Sequence, residues 1–204
     1  MRAIDPADHP FSEIYKLMIG AIVPRPIAFV SSVDAAGVRN LAPFSYFTAC
    51  SSNPPVVCFC TAVRSGPAPE KDTLRNVLAT GEFVVNIVSE EIAEQMNKTS
   101  IDVAPEVDEF ELSGLTPLPS ELVQPPRVGE SKVQMECRLR QIVHVSEKPG
   151  GGHLVLGEVL RFHVLESMLC EGIKIDPDKL HAVGRMGGPT YVRTRDRFEM
   201  QRPR

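Results

Sequence analysis

Apolar residues fall in short runs broken by turn residues, and most of these runs have the length and period of strands. Ile27-Ala-Phe-Val-Ser-Ser-Val33 predicts a strand, Asp34-Ala-Ala-Gly37 a turn, and Val38 to Phe47 a second strand. Pro54-Pro55 stops any regular element, because proline fixes φ and removes a backbone donor. Val56 to Thr61 follows as a continuous apolar strand of the kind buried on both faces. Ser65-Gly-Pro-Ala-Pro69 predicts a loop. Asp72 or Thr73 is placed to cap a short helix through Thr80, with Gly81 in the C-terminal position favoured by a left-handed residue. Phe83 to Val88 is a further strand, and Ser89 is placed to cap a helix running to about Lys98, with Glu90 and Glu91 favourable in its first turn.

The segment Thr99–Gly129 is rich in Pro and Gly and long for a loop, which predicts a role in covering a site or clasping a partner. Val133, Met135, Cys137 and Leu139 alternate with Lys132, Gln134, Glu136 and Arg138, the pattern of a half-exposed strand. Lys148-Pro-Gly-Gly-Gly152 is the turn that returns the chain through a partner strand, His153 to Leu165. At least six strands joined mostly by short connections, with few helices, predict a mainly β protein: a barrel with a few appended helices. No repeat or linker divides it, so residues 1–204 read as one domain with its core at about 14–191.

Composition narrows the partners. The chain has 204 residues and a formal net charge of -4, without the clustered Lys and Arg on which nucleic-acid affinity rests. No polybasic run or membrane-length apolar stretch is present, and Met1 to Ser12 lacks the layout of a signal peptide. Five cysteines, an odd number without a C-x-x-C pair, fit a cytoplasmic protein with reduced thiols. Cys58 and Cys60 form a C-x-C that shares one strand face; a metal or redox role competes there with the plainer reading of two small buried hydrophobes.

Chemistry concentrates in a few segments. Pro24-Arg25-Pro26 launches an arginine from a stiff backbone, and guanidinium matches phosphate in a two-pronged geometry; a solvated arginine at a strand entrance fits the tripeptide as well. Lys71-Asp72-Thr73 opens a helix, where free N–H groups, a lysine and a hydroxyl favour an anion, or simply form a cap. Asn40-Leu-Ala-Pro-Phe-Ser-Tyr-Phe47 carries Pro43 inside an apparent strand, which demotes it to an edge or a bulge. Unpaired backbone there can hydrogen-bond a planar heterocycle. Ser51-Ser-Asn-Pro-Pro55 adds hydroxyls, and the tail from His181 to Tyr191 combines glycines with Arg185. No Ser-His-Asp order, zinc spacing, P-loop or G-x-G-x-x-G is recognisable.

In order and spacing, these segments together resemble the flavin reductase-like family, especially its flavoredoxin-type branch. The resemblance runs from about Ile14 to Tyr191. It is carried by Pro24-Arg25-Pro26-Ile27-Ala28, Asp34 with Gly37, Asn40 to Ser45, Pro54-Pro55, Lys71-Asp72-Thr73 with Asn76, Glu82 to Asn86, and Gly184-Arg185-Met-Gly187-Gly188 with Tyr191. It implies a Greek-key split β-barrel that binds FMN, usually as a homodimer with flavin at or near the subunit interface. It also implies reduction by NADH or NADPH, with an oxygenase or another acceptor downstream; electron transfer without nicotinamide turnover is the alternative. On that resemblance Asn40, Ala42, Pro43, Phe44, Ser45 and Tyr46 line the isoalloxazine, largely through backbone groups. Ser51, Ser52, Thr61, Lys71 and Thr73 lie around the ribityl chain and phosphate, with Arg25 a further candidate. His181 and Arg185 lie near the ring or the substrate entrance and are the candidate catalytic residues. Stacking on the ring falls to Phe44, Tyr46, Tyr191 or His181, because the chain has no Trp.

Overall fold

The computed structural model describes residues 1–66 and 70–203. Seven strands form one antiparallel sheet: β1 (Ala28–Val33), β2 (Arg39–Phe44), β3 (Phe47–Ser52), β4 (Pro55–Ala62), β5 (Glu82–Ile87), β6 (Val133–Ser146) and β7 (Gly152–Val164). Their order across the sheet is β2-β1-β5-β6-β7-β4-β3, with hairpins β1–β2, β3–β4 and β6–β7. The sheet curls until its two ends meet. Phe44 on β2 and Phe59 on β4 lie far apart in the strand order, yet their ring centroids are 5.0 Å apart. Among the described residues five helices decorate the barrel: α1 (Phe11–Ala21), α2 (Asp72–Thr80), α3 (Ala93–Lys98), α4 (Glu109–Ser113) and α5 (Pro177–Leu180). No helix among the described residues is long and apolar enough to cross a membrane.

Strand alternation explains the two cores. Val30, Phe44, Val57, Phe59, Phe83, Val85 and Val155 point into the barrel with Leu74 and Val77 of α2. Ile27, Phe29 and Leu41 point the other way, onto Val88, Ile92, Met96, Phe110, Leu115 and Val128. β1 is therefore buried along its whole length. Gly157 lets the Phe83 ring cross the interior, since a Cβ there would lie 2.2 Å from the ring.

Several local expectations change. The predicted strand Val38–Phe47 breaks at Ser45-Tyr46, and a new strand runs Phe47–Ser52. That strand is almost wholly exposed, so it has no inward apolar face to announce it. Ser89 does not cap the next helix. It is buried without a side-chain cap bond, and a 3-10 turn, Glu90–Ile92, precedes α3. Helix α2 begins one residue after Lys71 and has no side-chain cap, whereas Gly81 ends it in the left-handed region at φ 71 as expected. The segment Thr99–Gly129 contains α4 and a short ladder of Pro117–Leu118 with Arg127–Val128. Phe110 and Leu115 are buried within the chain itself, whereas Leu112 of the same segment is exposed. The predicted loop Ser65–Pro69 falls partly outside the described residues.

Glu136 on β6 fastens this segment to the barrel. Fully buried, it accepts backbone N–H groups from Glu121 at 2.9 Å and Leu122 at 2.6 Å and contacts His163. Burial alone would raise its pKa; these partners outweigh burial and hold the carboxyl below its usual range.

Candidate functional site

β2 is an edge strand, as Pro43 predicts. Its inner edge is paired to β1, and its outer edge carries no strand. The Leu41 N–H points outward and donates to Glu109 Oε2 at 2.9 Å. In an extended chain N–H and C=O of one residue share an edge, and outward residues alternate, so the Pro43 carbonyl faces outward too. A cleft runs along this edge, lined by Asn40, Ala42, Pro43, Phe44, Lys71 and Thr73, all expected from the sequence. Its other walls come from Arg64, Asp72 and Glu109 and from Thr99, Ser100, Ile101 and Val103 of the segment that follows α3.

The far end of the cleft is cationic. Arg64 follows β4, and Lys71 precedes the uncapped first turn of α2, so two positive side chains meet a helix N-terminus. Lys71 Nζ donates to Asp102 Oδ1 at 2.7 Å, and Arg64 reaches the same oxygen at 3.0 Å. Lys71 and Arg64 draw the Asp102 carboxyl below its usual pKa range, over a smaller opposing effect of burial. The Arg64 Nε is buried without a hydrogen-bond partner. Sequence inspection missed Arg64. An arginine immediately before a Pro-rich loop gives no signal until the fold turns it back onto α2.

Beneath the cleft lies a closed polar network. Thr73 donates its hydroxyl to Asn40 Oδ1 at 2.7 Å, and Asn40 Nδ2 donates to Glu109 Oε1 at 2.8 Å. Burial raises the Glu109 pKa against the hydrogen bonds it accepts from Leu41 and Asn40. Thr73 and Asn40 thus hold the floor of the cleft, with the Thr73 hydroxyl committed to Asn40. Phe44 presents only backbone here, because its ring packs into the barrel against Phe59. Stacking by Phe44 is thereby ruled out.

Arg25 does not line this cleft. It is buried, and its guanidinium donates to the carbonyls of Ile19 and Ile22 at 2.8 Å each and of Met186 at 2.9 Å. A weaker bond reaches Ser45 Oγ at 3.4 Å. It ties α1 and the C-terminal tail to the β2–β3 corner and leaves little for a phosphate. Backbone bonds in both directions between Arg25 and Arg185 complete that join. Tyr46 lies beside Arg25, its ring centroid 6.0 Å from the guanidinium carbon, and is exposed at the same corner. Arg185 stacks over Tyr191 at 4.4 Å.

The other expected residues do not line the cleft. Thr61 is wholly buried on β4, its hydroxyl unpartnered, and offers a ligand no surface. Ser51 and Ser52 are exposed on the edge strand β3, where Ser51 Oγ accepts the Asn53 N–H. His181 sits in the left-handed region at the end of α5, its Nδ1 3.2 Å from Glu91, away from Lys71 and Arg64. Cys58 is buried and Cys60 half-buried, and burial with a Cys50 hydrogen bond pushes the Cys58 thiol up to about 12. Such a thiol is a poor thiolate donor, in line with the packing reading.

This geometry has close counterparts. Residues 19–175 match the Flavin reductase like domain. The chain belongs to the flavin reductase-like family. Within the family it is similar to nitrilotriacetate monooxygenase component B from Bacillus cereus, with 37% identity, a TM-score of 0.93 and 98% of each chain covered. It is also similar to the 2-nitrobenzoate 2-nitroreductase NbaA of Pseudomonas fluorescens, at 32% identity and a TM-score of 0.89, covering 99% of this chain and 96% of that one. A Shewanella frigidimarina NCIMB 400 protein with a split barrel domain shares the fold, at 21% identity, a TM-score of 0.84 and full coverage of both chains. The flavin reductase-like chain is thus a split barrel with helices attached.

Proposed function

We propose that this chain binds FMN along the open edge of β2 and uses it to take reducing equivalents from NADH or NADPH. The observation that carries the reading is the pairing of that edge with the cationic corner. Arg64, Lys71 and the uncapped first turn of α2 would hold the phosphate. The exposed edge from Ala42 to Tyr46 would take the planar ring, with Pro43 offering a carbonyl to a ring N–H. Ser51 and Ser52 would meet the flavin only from the neighbouring edge strand.

Bound FMN would supply two-electron redox chemistry, with the β2 edge and the Arg64–Lys71 corner holding and orienting it. Tyr46 is the exposed aromatic nearest that edge. Arg185 and the glycines beside it frame the approach; a cation there attracts the donor's pyrophosphate, and the chain has no nucleotide fingerprint elsewhere to hold it. Likeness to a monooxygenase component supports delivery of reduced flavin to a partner oxygenase or another acceptor.

The working form would be a homodimer in the cytoplasm. Phe11, Tyr15, Met18 and Ile22, spaced four, three and four apart, form an apolar stripe on α1 that is 43–60% exposed, with Val23 and Tyr46 beside it. A stripe of this kind is normally covered, and a twofold contact covers it twice. Light scattering at micromolar concentration tests this: dimer is expected, and monomer alone contradicts it.

The function is tested by stopped-flow mixing of the FMN-loaded protein with NADH or NADPH without oxygen. Bleaching faster than free FMN shows, and slowed in Arg185→Ala without flavin loss, is the expected result. Bleaching no faster than free FMN would mean an electron carrier reduced by another protein.

A further inference from the structure

Asp102 stands where the proposed site would receive a phosphate. One carboxylate oxygen engages Lys71 at 2.7 Å and Arg64 at 3.0 Å, a fork that two phosphate donors also make. The three side chains differ in setting. Asp102 is 65% exposed, whereas Arg64 is 22% and Lys71 26% exposed, so the carboxylate closes the cationic pair from the solvent side. The cations are built in and the anion is peripheral. Asp102 belongs to the segment whose Thr99, Ser100, Ile101 and Val103 line the cleft. Hydrogen bonds from Thr99 and Ser100 to the end of α3 pin that segment on one side, and nothing but the two cations holds the carboxylate itself among the described residues.

Charge is close to balanced here: Arg64 and Lys71 line the cleft with Asp72 and the buried Glu109, and Asp102 adds a further carboxylate against the two cations. Asp72, only 14% exposed, engages Arg75 and Arg64, so it stays with α2 when a ligand arrives. Asp102 is the group a dianion must displace or repel. Exposed ion pairs of this kind are weak and exchange readily.

We propose that Asp102 is a built-in competitor for the flavin phosphate, a carboxylate latch that makes FMN exchangeable rather than permanent. This rests on the phosphate placement given above and deepens it. The latch accounts for a site suited to passing reduced flavin onward: it satisfies Arg64 and Lys71 when the phosphate leaves, which lowers the cost of the vacated state and speeds release.

The test compares wild type, Asp102→Asn and Asp102→Ala by titration with FMN, riboflavin and inorganic phosphate, with FMN release timed after dilution. Circular dichroism checks the fold; Asp102 is exposed, so little change is expected. FMN should bind about tenfold tighter in both variants, equivalent to about 1.4 kcal/mol, and leave correspondingly more slowly. Phosphate should bind tighter as well, and riboflavin should not change. If wild type prefers FMN to riboflavin but the variants bind FMN equally or more weakly, Asp102 orients the cations and the latch is wrong while the phosphate site stands. If wild type binds FMN and riboflavin alike and ignores phosphate, the phosphate placement and the latch both fall.

Discussion

Two corners of this barrel each carry a buried or half-buried arginine beside prolines, and they do opposite things. Arg25 ends on three main-chain carbonyls from α1 and the tail. Arg64 ends on side-chain carboxylates, the exposed Asp102 at 3.0 Å and Asp72 at 3.6 Å. A guanidinium bound to backbone carbonyls is fixed, because those carbonyls cannot leave and would be costly to strand. A guanidinium bound to a peripheral side chain can change partners. The destination of the donors, more than the charge or the neighbouring sequence, separates an arginine that holds the fold from one that can hold a ligand.

The largest expected effect breaks the first corner. Arg25→Met strands the carbonyls of Ile19, Ile22 and Met186 and should lower unfolding free energy by about 3 kcal/mol or more, read by urea denaturation. The ratio of FMN to riboflavin affinity in whatever remains folded should be unchanged. A stable variant that loses only that ratio would return Arg25 to the phosphate.

Acid should act next, and at a different place. The Glu136 carboxyl lies below its usual pKa when folded, so its stabilising contribution is complete above the ordinary carboxylate range and is lost as pH falls through its folded value. Chemical denaturation against pH should show this fall, and Glu136→Gln should flatten it while costing about 1–3 kcal/mol at neutral pH. An unaltered acid slope in the variant would place the titrating group elsewhere. A smaller effect is expected at the dimer stripe: Ile22→Glu should shift the dimer toward monomer on dilution, with the monomer's secondary structure intact, since Ile22 is 55% exposed.

The contrast between the corners also shows where sequence reading succeeds. The strands Ile27–Val33, Val56–Thr61 and Phe83–Val88 were legible because apolar runs bounded by Gly and Pro are a local signal. Pro43 correctly marked β2 as an edge, since a missing N–H is also local. Helix α1 was not assigned, although Phe11, Tyr15, Met18 and Ile22 stand at helical spacing in the sequence. Half of the cleft was legible: Asn40 to Phe44, Lys71 and Thr73 stand in recognisable motifs and line it together. Arg64, Asp102 and Glu109 were not, because each enters through a tertiary turn that no spacing records. Arg25 and Thr61 were misplaced for a related reason. Residue type tells what a side chain is able to bind, and only the fold tells that Arg25 is already spent and Thr61 already buried.

The central claim is that Arg64 and Lys71 form a phosphate subsite, and one calorimetric comparison tests it most directly. FMN and riboflavin are titrated into wild type and into the Arg64→Ala/Lys71→Ala double variant at one salt concentration. Charge-assisted hydrogen bonds of about 1.5–3 kcal/mol predict that FMN binding weakens by about one to two orders of magnitude while riboflavin binding holds. Wild type should therefore prefer FMN and the double variant should not. Equal affinities for the two flavins in wild type, or a preference for FMN that survives removal of both cations, would contradict the account.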